Sequence, residues 1–590
     1  MAQWDRLRQL PIAYRQQLHE LYDRDALPMD VRHYLAPWIE KQEQRAARDH
    51  AFAMVLFQVL LENLDIQHSR FVQEESFLLQ HNIRRYKQNF QRYVDDPCAL
   101  ATTILWFLEK EKEILESAEL AEKVGSTLSG LNDILDRIQD IIDVLVKKEL
   151  VEWQRRQQKA CIGALDNVCL DQLEKWFSCV AVCLFQVWEF LTKLEELVGK
   201  VSYENDPVKA QNPTLQKRVD TLLRDLLKSS FVVETQPSMP QGKGSLVLRT
   251  NVQFSVKARL LVKFPELNHS MKVDVSMDNK PPVFCRYRRF NVLGTKIKAL
   301  NMAESTNGGM VADFRHLISL SVTEELHIIY FNTVFELKGF SVELQASTLP
   351  VVIISNSSQQ QSAWASVLWF NMLSQDPKDV MFFANTPAAT WPQFGEMLSW
   401  QFLSATKRGL DDTQLEMIAN KLFGKFFHRL LLHSENTPDT FWVWFDGILM
   451  MVKTYLEDLW RDGLIMGFVT KGKEKSLLKK KKRGTFLLRF SESVIGGITF
   501  SWVEITVTGE PDVKTVQPFT KVDLSQIPFH EIIRNYQILE AENVPENPLL
   551  YLYPDTPKDK AFGKYYTEKS GEDSPYIKYI KTKLVFVSKE

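Results

Sequence analysis

Six cysteines in 590 residues, at positions 98, 161, 169, 179, 183 and 285, include no C-x-x-C pair, so no disulfide framework or thiolate metal site is spaced into the chain. Reduced thiols are expected, with Cys179 and Cys183 as neighbours on one helix face. Also missing are an H-R-D catalytic loop, a D-F-G triplet and an H-E-x-x-H zinc motif. Kinase and metalloprotease classes are thereby set aside, and the expectation is a non-enzyme with no cofactor and no metal. The one phosphate-loop look-alike, Gly467-Phe-Val-Thr-Lys-Gly472-Lys473, runs into Glu474 where magnesium needs a Ser or Thr hydroxyl. Met1-Ala-Gln-Trp-Asp-Arg carries charge where a secretory leader needs an apolar run, and no stretch approaches the length of a membrane span. A cytosolic or nuclear protein without membrane insertion is expected, which makes the sequons at Asn268 and Asn356 incidental. Charge of one sign is lacking as well: 72 Lys+Arg face 74 Asp+Glu, so nucleic acid would have to be held by a local patch.

What is present is ordinary for a soluble chain of three to five domains: 45% hydrophobic and 25% charged residues. Residues 1–120 carry helical periodicity through Trp4, Leu7 and Leu10, then Val31, Leu35, Trp38 and Ile39, then Phe52 to Leu64. Leu131, Ile134, Ile138, Ile141 and Leu145 recur at coiled-coil intervals; a second such helix is expected from Leu170 to Val201, and a shorter one from Thr214 to Ser230 after Pro213. Between 232 and 384 the period drops to two, as in Gln253–Lys263 and Met271–Ser276, which predicts an antiparallel immunoglobulin-like sandwich. Helices return from 385 to 460, with Trp391, Trp400, Leu410, Phe441, Trp442 and Trp444 packing a connector.

The most telling stretch is Gly484-Thr-Phe-Leu-Leu-Arg489-Phe-Ser491-Glu492-Ser493. Strand alternation puts Phe486, Leu488 and Phe490 on one face and Thr485, Leu487 and Arg489 on the other. Arg489 then sits partly buried with no carboxylate beside it in the strand, and an unpaired guanidinium is costly to bury. Its planar fork, with two serine hydroxyls following, suits a phosphate; the alternative is an acid brought from elsewhere in the fold. A helix carrying Lys471 precedes the strand, and Gly496-Gly497 leads into a second alternating strand, Ile498–Val503.

This helix, arginine strand and hairpin resemble an SH2 phosphotyrosine-binding domain, and G-T-F-L-L-R-F-S-E-S is similar to that of the signal transducer and activator of transcription (STAT) family. The resemblance extends to Met1–Trp4, Trp38-Ile-Glu and Leu78–Asn82 in the first domain and to Glu149–Gln158 in the helical region. It implies a multidomain α+β protein. The domains would be a helical N-terminal interaction domain (1–120), a shortened coiled-coil bundle (121–231), an immunoglobulin-like DNA-binding domain (232–384), a helical linker (385–460), an SH2 domain (461–561) and a phosphotyrosine tail (562–590). Family members carry four long helices in the second domain, and this chain has room for about three. By the same resemblance Arg489 is the central phosphate ligand, Lys471 a second cation, and Ser491, Glu492 and Ser493 the phosphate-binding loop.

Basic residues of the sandwich fall in two groups: Lys257, Arg259 and Lys263 along one strand, and Arg286, Arg288, Arg289, Lys296 and Lys298 around the next edge. Either cluster could cradle phosphates or be a solvated face. Phe290–Lys298, Glu304–Gly308 and Ile354-Ser-Asn356 resemble the family's DNA-binding loops, which implies that Lys298 and Asn356 approach the grooves, as their donor groups suit, while the other cations position the backbone. The loop after Phe314-Arg-His316 is shorter than in the family. The run Lys479–Arg483 reads as a solvated loop that attracts phosphopeptide generally.

In the tail, Tyr579 lies in a segment similar to the family's activation tyrosine, most of all that of the interferon-responsive type, and Tyr576 in the duplicated Y-I-K is a second acceptor. About 17 residues from Phe562 span at most roughly 55 Å at ~3.3 Å each, enough to reach a partner chain. A phosphate there, with about −1.5 to −2 charge, is what the Arg489 pocket needs. The implied function is a latent cytoplasmic transcription factor, phosphorylated in cytokine or interferon signalling, dimerising by reciprocal SH2–phosphotyrosine contacts and moving to the nucleus. Its implied partners are itself or a related family member, double-stranded DNA, phosphorylated cytokine receptor tails, Janus-type kinases and importin. The chain stops eleven residues past Tyr579, which implies weak or borrowed transactivation. The rival is an SH2 adaptor that never touches DNA.

Overall fold

The computed structural model describes residues 2–23, 26–200, 206–240, 244–264, 271–277, 291–293, 297–300, 310–319, 326–424, 439–537 and 546–567. The chain forms two units: Met1–Ile141 with Cys183–Leu223, and Ile142–Val182 with Arg224–Glu590.

In the first unit, helices α1 (Gln3–Arg8), α2 (Ile12–Tyr22), α3 (Met29–Tyr34) and α4 (Ala36–Ile39) precede the longer α5 (His50–Gln73), α6 (Phe77–Phe90) and α7 (Pro97–Val144). Trp4, Leu7, Val31, Leu35, Ile39 and Leu64, all apolar-periodic in sequence, share one core with Phe57, Phe90 and Phe107. A charged knot lies within it. Arg32, fully buried, donates from Nε and Nη2 to the two carboxylate oxygens of Glu111 at 2.8 Å and from Nη2 to Glu40 at 2.9 Å. Glu40 in turn accepts the backbone N–H groups of Gln3 and Trp4 at 2.9 and 2.7 Å. Those are orphan donors of α1, which has no side-chain cap of its own, so the carboxylate both caps the helix and neutralises the arginine.

A π-helical turn, Leu145–Glu149, joins α7 to α8 (Leu150–Cys161) without a break. Residue 120 therefore lies in mid-helix. Helices α9 (Asp171–Lys200) and α10 (Pro207–Ser230) follow. Three expectations are corrected here. The expected seam splits: Ile134 and Ile141 are 49% and 48% exposed, Leu131 and Ile138 are half-buried, and Leu145 is buried along with Leu128, Leu135 and Ile142, which the seam did not include; α7 is apolar on neighbouring stripes, and periodicity does not say which one meets the bundle. Helix α10 starts before Pro213, because Asp206 accepts the Val208 N–H at 2.9 Å and Pro207 takes the first helical position, a strong start signal. Helix α9, over Asp171–Val198, is long and apolar enough by length and composition to cross a membrane, against the expectation that no stretch would be. Within Trp176–Thr192 only Glu189 carries a charge, and the polar Ser178, Gln186 and Thr192 interrupt the run.

The second unit holds the sheets. Strands β1 (Phe231–Ser238), β2 (Val247–Arg249), β3 (Gln253–Leu260), β4 (Met271–Met277), β5 (Asn291–Leu293), β6 (Ile297–Leu300), β7 (Met310–Ser319), β8 (Leu326–His327), β9 (Ile329–Leu337), β10 (Phe340–Ser347) and β11 (Val351–Ile354) form sheets ordered β1-β3-β7-β5, β10-β9-β4-β6 and β2-β11-β8. In β9 and β10 buried residues alternate with exposed or half-buried ones, the period-two signature of a one-sided sheet.

Helices α11 (Gln360–Leu373), α12 (Trp391–Thr406), α13 (Asp412–Phe423), α14 (Asp439–Met451) and α15 (Glu457–Arg461) build the connector. Leu410, Phe441, Trp442 and Trp444 are buried in it, and Trp391 and Trp400 are half-buried. Its aromatic core runs on through Trp460 and Phe468 to Phe490. The last region contains α16 (Lys471–Leu478), β12 (Thr485–Phe490), β13 (Ile498–Ile505), β14 (Pro511–Thr515), α17 (Lys521–Leu524), α18 (Phe529–Asn535), β15 (Tyr551–Leu552), β16 (Thr556–Pro557) and α19 (Lys558–Phe562). Its sheet is ordered β14-β13-β12-β15-β16, with Arg489 opposite Thr499 in the central antiparallel pair.

Candidate functional site

Strand β12 is buried along its whole length, Arg489 included at 6% exposure. Leu487 packs with Val469, Leu478 and Val503 on the side covered by α16. On that side Glu474, four residues before Leu478 and so on the same helix face, reaches Arg489: Nε donates to Oε2 at 2.5 Å, and Glu474 is fully buried. The guanidinium therefore does have a protein carboxylate, supplied by the preceding helix rather than by the strand. The bond uses the inner edge of the fork. Nη1 donates to the Phe490 carbonyl at 3.3 Å, and Nη2 has no partner among the described residues. Burial pushes the Glu474 carboxyl up; the charge of Arg489 and the neighbouring Ser501 oppose that shift. The position that spoils the phosphate-loop look-alike is thus the one that orients the arginine.

The loop after β12 is held as closely. Ser491, buried, donates its N–H to the Gly497 carbonyl at 2.7 Å, and its Oγ accepts the N–H groups of Ser493 and Val494 at 3.3 and 3.0 Å. From the connector, Trp444 Nε1 donates to the Ser491 carbonyl at 3.3 Å. The exposed Glu492 accepts the backbone N–H of Lys471 at 3.0 Å, which ties the loop to the first residue of α16. Gly467 closes the other edge: it bridges Arg489, its φ is +74°, and a Cβ would stand 2.6 Å from the Phe490 ring. Lys471, Arg489, Ser491, Glu492 and Ser493 are thereby brought to one corner of the sheet. In the basic run, Lys482 stacks over Tyr551 at 3.5 Å and pairs with Asp555 at 2.5 Å, and Lys481 lies 5.2 Å from the Tyr553 ring, so part of this loop is packed rather than merely solvated.

The sandwich cations separate into two classes. Lys257, Arg259 and Lys263 face their own acids: Arg259, 4% exposed, binds Asp171, Glu174 and Glu234, while Lys257 pairs with Glu234 and Lys263 with Glu174. The reading of this strand as a phosphate cradle is withdrawn for Arg259, because three carboxylates from α9 and β1 already surround it. Lys298 stands opposite Val273 in the β4–β6 pair. Asn356 is exposed just past β11, with Oδ1 accepting the Ser358 N–H at 2.9 Å, so its amide NH2 is the outward donor. Arg286, Arg288, Arg289, Lys296, Tyr576 and Tyr579 lie outside the described residues.

Four stretches match known families: "STAT protein, protein interaction domain" over residues 2–119, "STAT protein, DNA binding domain" over 235–354, "Signal transducer and activator of transcription, linker domain" over 376–445, and "SH2 domain" over 464–528. The chain is similar to signal transducer and activator of transcription 4 of Homo sapiens, 38% identical across 97% of this chain and 91% of that one, and to its Mus musculus counterpart at 37% with the same coverage. The chain belongs to the STAT family. It is a transcription factor with DNA-binding and SH2 domains, and that family is not an enzyme family. The STAT alignment spans 688 positions, more than the 590 residues present, so the relatives carry stretches without a counterpart here.

Inspection of the sequence missed Glu474, Trp444 and Gly467 as parts of this STAT pocket. Glu474 had a usable signal, since a helix starting at Lys471 places residues 474 and 478 on the face that covers the sheet. Trp444 had none, because its indole comes from another domain.

Proposed function

We propose that this STAT is a latent cytoplasmic factor, switched by phosphorylation of Tyr579, with Tyr576 as the alternative acceptor, into a dimer held by reciprocal SH2–phosphotyrosine contacts. The observation that carries the reading is the orientation of Arg489. Glu474 holds Nε and leaves Nη2 open, with Ser491 and Ser493 in the loop that follows the strand and Lys471 tied to that loop through Glu492, a set of donors suited to one dianionic phosphate. Each clasp raises the effective concentration of the other, so two weak contacts give one stable dimer.

The dimer would then present two sandwiches to a near-palindromic duplex. Lys298 and Asn356 would approach bases, and Arg286, Arg288, Arg289 and Lys296 phosphates. Upstream partners in this reading are phosphorylated cytokine receptor tails and Janus-type kinases, with importin carrying the dimer to the nucleus. Two similarities bear on the pathway: the tail resembles that of the interferon-responsive type, while the full-length relatives are type 4 proteins. Both support a cytokine input.

The test uses the full chain phosphorylated in vitro. Arg489→Lys keeps a charge for Glu474 but loses the fork, and dimerisation followed by sedimentation should fall at least tenfold in affinity. Tyr579→Phe, with Tyr576 intact, should abolish it. A phosphorylated dimer unaffected by both changes defeats the mechanism.

A further inference from the structure

Helix α9 carries two apolar stripes where a bundle helix needs one. In the part belonging to the first unit, Leu184, Phe185 and Leu191 are buried, and the α10 residues Asn212 and Gln216 donate to the Leu191 carbonyl and the Thr192 hydroxyl beside them. The second stripe is Cys183, Val187, Phe190, Leu194 and Leu197. These residues step by four, three, four and three, the heptad spacing of a coiled-coil seam, and at 3.6 residues per turn the stripe lies about 100° round the helix from the buried one. Cys183, Phe190 and Leu197 are exposed, the last two at 45% and 55%, and Val187 and Leu194 are half-covered. So wide an apolar sector belongs to a helix with neighbours on two sides, yet the helical region of this STAT is the part with room for fewer helices than the family carries.

We propose that this stripe pairs with the same stripe of a second copy of the chain, antiparallel, forming a short two-helix seam separate from the SH2 clasp. Three features select a second copy in that orientation. Antiparallel seams set alternate heptad positions against each other, and here that places Cys183 on Leu194 and Val187 on Phe190, a small side chain against a larger one in every layer. Lys193, exposed on the flank, then lies beside Gln186 of the other copy and meets no like charge. A parallel pair would instead set Phe190 on Phe190 and Cys183 on Cys183, large on large and small on small. The seam is self-complementary under a two-fold axis, as an isologous contact must be. Residues 183–197 cover only roughly 21 Å of helix at 1.5 Å each, so the association is concentration-dependent rather than obligate.

The deciding experiment is a cross-link in the full, unphosphorylated chain. Leu194→Cys should form an intermolecular disulfide with native Cys183 under mild oxidation, and adding Cys183→Ser should remove it. In sedimentation velocity, Phe190→Glu should weaken self-association at least tenfold, while its circular dichroism melt stays cooperative. No bridge from the introduced thiol overturns the pairing, whether or not Phe190→Glu folds. A Cys183–Cys183 bridge in the unmodified chain overturns the antiparallel orientation. Co-sedimentation of the unmodified chain with phosphatidylcholine vesicles, lost in Phe190→Glu, would assign the stripe to a lipid surface and overturn the proposal as well.

Discussion

Glu474 changes what a substitution at Arg489 means. Arg489→Ala would leave a fully buried carboxylate unpaired, a loss of about 3–5 kcal/mol, so absent phosphate binding in that variant could reflect an unfolded domain. The double change Arg489→Gln with Glu474→Gln removes both charges together. It should melt within about 2 kcal/mol of the parent in urea titration and still fail to bind a phosphotyrosyl peptide by calorimetry. Glu40 gives a second residue-scale prediction. Burial works to raise its carboxyl, but Arg32 and the α1 amides outweigh that and hold it below the ordinary glutamate range. A depressed carboxylate stabilises the fold above its unfolded pKa and loses that contribution as pH falls through the folded value. Glu40→Gln should therefore lower the melting temperature at neutral pH and flatten its fall as the solution is made acidic. Arg489 could be read from its strand because an arginine among apolar residues is conspicuous; Glu474 could not, because it looks like any acid in a lysine-rich helix start.

Elements were readable where one period dominates and unreadable where two compete. Strands β9 and β10 alternate cleanly, and the first-domain helices buried the residues their spacing indicated. On α7 and α9 apolar residues occupy more than one stripe, so the seam expected at Ile134 and Ile141 proved to be an outer face. Boundaries failed for another reason: the helix from Pro97 to Cys161 has no proline or cap in its interior to announce a break, and the π turn at Leu145–Glu149 leaves no mark in composition. Gly467 offers an element-scale test. With φ at +74° and the Phe490 ring in the space a methyl would need, Gly467→Ala should cost at least about 2 kcal/mol. In native-state hydrogen exchange, amide protection in β12 should fall before that in β9.

For the whole molecule, the domain series was legible because each region has its own composition, and the family resemblance joined them in order. Less legible was which cations remain available. Lys257, Arg259 and Lys263 looked like Lys298 in sequence, yet the structure commits the first three to Asp171, Glu174 and Glu234. The expected consequence is a split phenotype. Lys298→Ala with Asn356→Ala should weaken duplex binding of the phosphorylated dimer by at least tenfold in a mobility-shift titration, with its sedimentation unchanged. Lys263→Ala should leave DNA affinity within about twofold and lower thermal stability instead. The fixed arginine bears finally on speed. Because Glu474 grips Nε and leaves Nη2 open, the guanidinium does not have to swing into place when a phosphate arrives. Dimer assembly should then be limited by encounter of two charged surfaces, fast at low salt and slower as ionic strength rises, with the lifetime of the complex set by how readily each tail lets go.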